Sequence, residues 1–267
     1  MERKLLASNW LHTMLDGIWW RPNADTIVAA ASYGLVVATL WTAFQVFTTA
    51  MVAANFLTFA LGIAGVGVLL PVAYTVWIRK RSLAELGITT AMLVPSLLLG
   101  LLLGLDTYRN TIATLPFMPA AAALVPLIAM TLAVGLFEAI FFRGWLQLRF
   151  EEAFGIVPGL LLGAACYALY HVGYGMTAAE IAFLFGYGVV FGAFFRLTRS
   201  IFVLWPFYTP VGSLYSNLRE GLNLPFEAAY GFVIVILVMV AAIYFAARVV
   251  ARHEAVDQVH LAKPRPV

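Results

Sequence analysis

The most restrictive feature of this sequence is an uncharged stretch that runs from Thr26 to Ile78. It is long enough to cross the hydrocarbon core of a bilayer twice, at about 20 residues a crossing. No water reaches backbone N–H and C=O groups in that core, so the stretch must satisfy them internally, as helices do. Similar apolar stretches recur up to residue 250. With 63% hydrophobic and 11% charged residues and a mean hydropathy of +0.93, the composition is that of an integral membrane protein.

The apolar pattern predicts an all-α, polytopic membrane protein with about eight transmembrane helices. We place the helices at 26–50, 55–78, 91–105, 119–150, 157–174, 178–198, 201–218 and 226–250. The third and the seventh are short, and Pro206 and Pro210 interrupt the seventh. We expect an amphipathic interfacial helix over residues 1–22, the eight-helix domain over 26–250 and a cytoplasmic tail over 251–267.

The basic residues predict the orientation. If both termini are cytoplasmic, 14 of the 16 Lys and Arg residues lie on or toward that side, and only Arg109 and Arg219 lie outside. We therefore expect an inner or plasma membrane location and contact with anionic lipid. The net charge of +3 reflects this arrangement and does not indicate nucleic-acid binding.

Two ionisable side chains stand inside apolar helices on either side of one tight turn. Glu138 lies 14 residues before a helix end near Glu152, and His171 lies 14 residues after a helix start near Val157. At about 1.5 Å per residue, both lie roughly 21 Å from the turn, at one depth on antiparallel neighbours. An ionisable group in hydrocarbon is costly, so each is a functional candidate.

The second of these helices carries a stripe with a spacing of four residues. Gly159, Gly163, Tyr167 and His171 share it. Small residues at this spacing let two helix backbones approach closely. The stripe therefore predicts close packing that brings the imidazole toward the carboxylate of Glu138.

A paired Glu and His suit general-base activation of water without a metal. Donors for the resulting oxyanion are available on the seventh span, in Ser213 and Asn217. Counted from a turn near Ser200, Asn217 lies close to the depth of the acid and the imidazole. We expect no cofactor and no metal, because the membrane region has one His, no HExxH motif and a single cysteine, Cys166.

Polarity alone leaves other interpretations open. The same cluster could lock helices together or line a path for an ion or solute, although the sequence shows no repeated halves of the kind many transporters have. A Ser213–His171 dyad like that of rhomboid proteases is a further alternative. Val211 disfavours it, because it stands where that motif has glycine.

Four short segments occur in a fixed order along the chain. They are a basic segment leading to Ser82-Leu83-Ala84-Glu85-Leu86-Gly87, then Glu138-Ala139-Ile140-Phe141-Phe142-Arg143-Gly144, then Tyr167-Ala168-Leu169-Tyr170-His171, and last the proline-rich span ending in Asn217. These segments resemble the motifs of the CAAX protease and bacteriocin-processing family, which are intramembrane glutamate-dependent endopeptidases related to the type II CAAX prenyl protease. The resemblance covers roughly residues 79–220, and eight spans fit the family fold.

The resemblance implies a role for each matching residue. Glu138, with His171, would activate water; Asn217 would help to hold the oxyanion. Arg143 would brace the site from the cytoplasmic side. The implied function is hydrolysis of a peptide bond in a membrane-associated peptide or protein.

Three positions depart from the family's motifs. Ala139 replaces a second glutamate, Tyr167 a phenylalanine, and Ser213 the histidine of the third motif. Loss of one oxyanion donor lowers a rate about 100- to 1000-fold. The alternative is therefore a catalytically weak or inactive relative that acts as a binding, immunity or scaffold protein.

Overall fold

The computed structural model describes residues 17–171 and 175–261, and within these ranges every regular element is helical. Most of the predicted interfacial helix at residues 1–22 lies outside them. The described chain forms eight helices of twelve or more residues. These are α1 (Ala24–Val46), α2 (Met51–Ile78), α3 (Leu93–Asn110), α4 (Ala121–Phe154), α5 (Ile156–Leu169), α6 (Ala178–Thr198), α7 (Tyr208–Arg219) and α8 (Ala228–Leu261).

Five of these helices, namely α1, α2, α4, α6 and α8, are long and apolar enough to cross a membrane. The other three are shorter or more polar: α5 has 14 residues, α7 has 12, and α3 ends in a polar turn. The all-α, polytopic fold predicted from the apolar pattern is confirmed. The seventh helix is short, as expected, whereas the third is longer than predicted, with 18 residues, and the fifth is shorter than predicted, with 14.

Helix α4 is the centre of the bundle. In the most apolar 18-residue stretch of α4, 67% is buried, compared with 11% in the corresponding stretch of α8. The reason is that α1, α2, α5, α7 and α8 all pack against it. Four charged residues of α4, namely Glu138, Arg143, Arg149 and Glu151, are therefore buried in the protein, whereas Glu152 near its end is exposed.

Helix α5 folds back along α4 after Gly155, whose φ of 100° places it where L side chains are strained. A side chain at Gly159 would overlap the backbone of Glu151, and one at Gly163 would come within 3.0 Å of the Gln147 Cβ. A step of four residues forward along α5, from Gly159 to Gly163, therefore corresponds to a step of four residues back along α4, from Glu151 to Gln147. This antiparallel register confirms the close packing predicted from the glycine stripe, and it sets His171 opposite the turn of α4 that holds Glu138.

Two turns of the chain meet α4 well inside the bundle. Gly144 packs directly against the backbone of Leu86, where a methyl group would overlap the Leu86 carbonyl. The carbonyl of Gly87 accepts a hydrogen bond of 3.0 Å from the N–H of Ile201. Because α4 continues for ten residues beyond Gly144, to Phe154, both turns lie about 15 Å inside that end of the helix.

A charge network ties several elements together at one end of the bundle, the basic end, which holds Arg79, Arg149, Arg196 and Arg199. Asp25 of α1 is 3% exposed and accepts a hydrogen bond of 2.7 Å from the Tyr74 hydroxyl of α2. It also pairs with Arg79 at 3.3 Å and with Arg149 of α4 at 3.8 Å. Arg149 in turn reaches Glu85 at 3.4 Å.

Candidate active site

Glu138 is the buried acid of the bundle, with 4% of its surface exposed. Its Oε1 accepts a hydrogen bond from the hydroxyl of Tyr170, whereas Oε2 has no hydrogen-bond partner among the described residues. Leaving a buried acceptor unpaired costs about 1–3 kcal/mol. Oε2 is also shielded from solvent, so a water molecule or a substrate group reaches it only when the packing around it opens.

The helix around this acid is irregular. Immediately after Glu138, α4 changes from α to π geometry, which continues from Ala139 to Gln147. Helix α2 has the same π geometry from Phe56 to Leu69, so this winding does not by itself mark a functional site. The acid thus stands where the helix changes its winding.

His171 lies just beyond the last residue of α5. Its Nδ1 is 2.9 Å from the carbonyl oxygen of Tyr167. A carbonyl oxygen only accepts, so Nδ1 carries the hydrogen, and in the neutral ring Nε2 is left as an acceptor. The imidazole is therefore in the tautomer that can receive a proton at Nε2.

Tyr170 links the acid to the imidazole. Its hydroxyl contacts Glu138, and its ring centroid lies 3.9 Å from that of His171. The two ionisable groups therefore lie in one neighbourhood, in agreement with the depth predicted for them. Sequence reasoning did not single out Tyr170. The signal was present, because a tyrosine buried in an apolar helix needs a partner for its hydroxyl.

Arg143 lies one turn from the acid and is 1% exposed. Its guanidinium carbon is 5.2 Å from the centre of the Tyr167 ring, and Nη1 is 3.5 Å from Oε1 of Gln147. The Gln147 amide donates to Glu151 at 2.9 Å, and Glu151 pairs with Arg196 at 3.4 Å. A line of polar side chains thus connects the neighbourhood of the acid to the basic end.

Helix α7 meets α4 near the acid through its first turn. A Cβ atom added at Gly135 would lie 3.0 Å from both Thr209 Oγ1 and Pro210 Cγ. Beyond α7, Leu224 packs in a cluster with Ala129 of α4. Helix α7 therefore runs antiparallel to α4, away from the basic end.

This direction sets Ser213 and Asn217 apart from the acid. Asn217 lies seven residues beyond Pro210, while Glu138 lies three residues to the other side of Gly135. At about 1.5 Å per residue, Asn217 and Glu138 are offset by about 15 Å along α4. The side-chain amide of Asn217 donates to the Ser213 carbonyl at 2.9 Å, within its own helix.

The structure thus differs from the shared depth that we expected for Asn217. The expectation counted from Ser200 as if that turn lay at the end of α4. Ser200 is fully buried, and the adjacent Ile201 is bonded to Gly87, beside Gly144. Every residue of α7 is therefore displaced toward the far end of the bundle.

Tyr208, the first residue of α7, lies nearer the level of the acid along the bundle than Ser213 or Asn217 do. It lies two residues before Pro210, at about the level of Glu138, and its ring is 5.0 Å from that of Phe191. Phe191 in turn packs against Tyr167 at 5.9 Å. No sequence motif indicated this residue, because its position depends on how the turn before α7 is buried.

A cavity of about 510 Å³ lies between α6 and α7. Tyr208 lines it from α7, and the remaining lining residues, all on α6, are Ala182, Phe183, Gly186, Tyr187 and Val190. Gly188, next to this part of α6, packs against Ala164 of α5, seven residues before His171. Among the residues that the structure describes, no group of three His, Cys, Asp or Glu side chains could hold a metal ion.

Comparison with known proteins gives one family. The family model described as type II CAAX prenyl endopeptidase Rce1-like matches residues 119–209. The matched segment contains Glu138, Arg143 and His171 and ends before Ser213. No curated protein and no solved structure matches the chain. Over residues 119–209, which hold the buried acid and its imidazole neighbour, the chain is similar to the type II CAAX prenyl endopeptidases, and this match confirms the family resemblance of the sequence motifs.

Proposed function

We propose that this protein is an intramembrane endopeptidase of the CAAX-protease type that uses Glu138 and His171 to activate water. One observation carries the proposal. A buried carboxylate has one oxygen held by Tyr170 and the other unpaired, and the Tyr170 ring lies 3.9 Å, centroid to centroid, from an imidazole whose Nε2 can accept a proton. General-base catalysis of this kind contributes about 100- to 10,000-fold to a rate.

The proposed reaction begins with a water molecule between Oε2 of Glu138 and the scissile carbonyl. The carboxylate takes one proton as the water oxygen bonds to the carbonyl carbon, which leaves a tetrahedral oxyanion. When the C–N bond breaks, the proton passes to the leaving amine, directly or through Nε2 of His171. The carboxylate and the neutral imidazole are then restored.

Two further residues support this arrangement in the proposal. Tyr167 fixes the tautomer of His171 through its carbonyl and faces Arg143 with its ring. Arg143 supplies a buried positive charge that offsets the carboxylate. Opposite charges brought close inside a protein favour each other's ionised form.

The oxyanion needs a donor, and three residues of α7 compete for that role. Ser213 and Asn217 are the donors expected from the family's third motif. The register of α7 on α4 favours Tyr208, whose hydroxyl-bearing ring stands nearer the level of Glu138 and lines the cavity. We therefore propose Tyr208 as the principal donor.

The substrate in this proposal is a peptide or protein associated with the membrane. The cavity between α6 and α7 is lined largely by apolar side chains, which suits a hydrophobic segment. The distribution of Lys and Arg supports cytoplasmic termini in an inner or plasma membrane.

Purified protein in lipid nanodiscs, incubated with a set of membrane-tethered peptides, tests the proposal. Cleavage is expected, and Glu138→Gln and His171→Ala should each abolish it without changing the thermal unfolding temperature by more than a few degrees. Glu180→Gln is the matched control, since Glu180 caps the start of α6. Cleavage that persists in both site variants would overturn the proposal.

A binding or scaffold function is the second candidate, favoured by Ala139 and Ser213, which differ from the family's motifs. Cells that depend on the protein distinguish the two functions. A scaffold keeps full cellular function with Glu138→Gln, whereas a protease loses it.

A further inference from the structure

We infer that Tyr170 is a positioning residue of this site, holding Oε1 of Glu138 so that Oε2 is the oxygen that receives the proton from water. Its ring at the same time fixes the imidazole of His171. The inference rests on the proposed function and deepens it, because it assigns a residue to which none of the three motifs gives a role.

The first step is the hydroxyl group. A carboxylate can rotate and present either oxygen, which blurs the direction of proton transfer. The Tyr170 hydroxyl donates to Oε1 of Glu138, and hydrogen bonds to a charged acceptor are about twice as strong as neutral ones. One oxygen is thereby occupied, and the other, Oε2, is left unpaired.

The second step is the rigidity of the ring. Tyr170 is 4% exposed. Its ring stacks on Phe142 with centroids 4.8 Å apart and planes 25° apart, and Phe137 meets it edge-on at 6.3 Å. Both phenylalanines are almost fully buried. The ring cannot swing without repacking the core, so its hydroxyl keeps a defined position.

The third step is the contact with the imidazole. The ring centroids of Tyr170 and His171 are 3.9 Å apart. The backbone carbonyl of Tyr167 holds the Nδ1 edge of the same imidazole. Ring and carbonyl together restrict both the tilt and the tautomer of the base. A site must be held to about 0.5 Å to be productive, and this arrangement provides that support.

The test separates the hydroxyl from the ring. Tyr170→Phe keeps the packing and removes the donor, so kcat is expected to fall about 10- to 100-fold with KM unchanged, since the hydroxyl contacts Glu138 and not the substrate. The acid limb of the pH–rate profile should also move to higher pH, because loss of a donor disfavours the charged carboxylate. Tyr33→Phe, at a tyrosine packed against the core in α1, is the matched control and should leave both unchanged.

The outcomes distinguish this inference from the proposed function. If Tyr170→Phe keeps the normal kcat and pH profile while Glu138→Gln is inactive, Tyr170 has no positioning role and the proposed function stands. If Tyr170→Phe is as inactive as Glu138→Gln, the hydroxyl takes part in the chemistry itself and the positioning role is wrong. If Glu138→Gln remains active, the proposed function fails first.

A second variant covers the case in which Tyr170→Phe does not fold. Incorporation of 3-fluorotyrosine at position 170 preserves the shape of the ring and makes the phenol more acidic. The inference expects a shifted pH–rate profile in this folded protein. An unchanged profile would overturn it.

Discussion

Pro210 of α7 packs against Gly135 of α4, one turn before Glu138, with 3.0 Å between the Pro210 Cγ and the position of a Gly135 side chain. This contact fixes which residues of α7 lie beside the acid. It sets the first turn there and directs the rest of α7 toward the far end of the bundle.

The contact predicts that Tyr208, and not Asn217, is the α7 side chain on which activity depends. Tyr208→Phe should lower kcat about 100-fold, the loss expected for one oxyanion donor. Asn217→Ala should lower it less than about threefold, because its amide is bonded within its own helix. Steady-state peptide cleavage by the two variants checks this. The opposite order of losses would show that α7 turns its far end to the substrate.

A related prediction concerns the histidine that the family's third motif has in place of Ser213. Ser213→His should not raise kcat by more than about twofold, since the new ring would start more than one turn away from the level of Glu138. The same cleavage assay measures it. A gain of ten-fold or more would mean that a donor at position 213 reaches the reacting carbonyl.

The packing of α5 on α4 predicts a large effect at Gly163. Gly163→Val should push the Gln147 side chain away and separate the helices, with a loss of about 1–3 kcal/mol in the free energy of unfolding and of most activity. Thermal unfolding in detergent, followed by circular dichroism, measures the first. Gly34→Ala is the control: nothing lies within 4 Å of its Cβ position in α1, so it should be neutral or mildly stabilising.

The basic end predicts a contrast between two arginines. Arg149 has a side chain 3% exposed and pairs with Asp25, Glu85 and Glu152, so Arg149→Ala removes all three pairs, leaves buried Asp25 with Arg79 alone, and should cost about 1.5–3 kcal/mol. The side chain of Arg81 is 38% exposed, and Arg81→Ala should cost no more than about 1 kcal/mol. The unfolding temperatures of the two variants measure this difference in stability. Equal losses would show that Arg149 is solvated in the membrane-bound protein.

Much of this arrangement follows from local sequence. Apolar runs predicted the eight helices, five of which are long and apolar enough to cross a membrane, because a lipid environment leaves the backbone little else to form. Equal counts of residues on either side of one turn predicted that Glu138 and His171 share a depth. Helix α5 begins directly after the turn at Gly155, so Glu138 and His171 stay at nearly equal distances from that turn.

Helix α7 shows a case in which counting residues from a turn does not predict the depth of a side chain in the bundle. The count from Ser200 to Asn217 ignored where the turn itself lies, and that is decided by the packing of Ile201 and Gly87 beside Gly144. Tertiary contacts of this kind leave no periodic trace in the sequence. The hydroxyl of Tyr170 was missed for a different reason: a tyrosine in an apolar helix is as often a packing residue as a partner of an acid.

The backbones around Leu86 and Ile201 pack against α4 about 15 Å inside the basic end and form a main-chain barrier there. A barrier made of main chain keeps its width whatever side chains it carries. In the proposed endopeptidase, a peptide that enters from the flank between α6 and α7 would instead meet side chains. Selectivity for one hydrophobic sequence over another would then reside in residues such as Phe183 and Tyr187, and exchanging them should change which peptides are cleaved without disturbing Glu138.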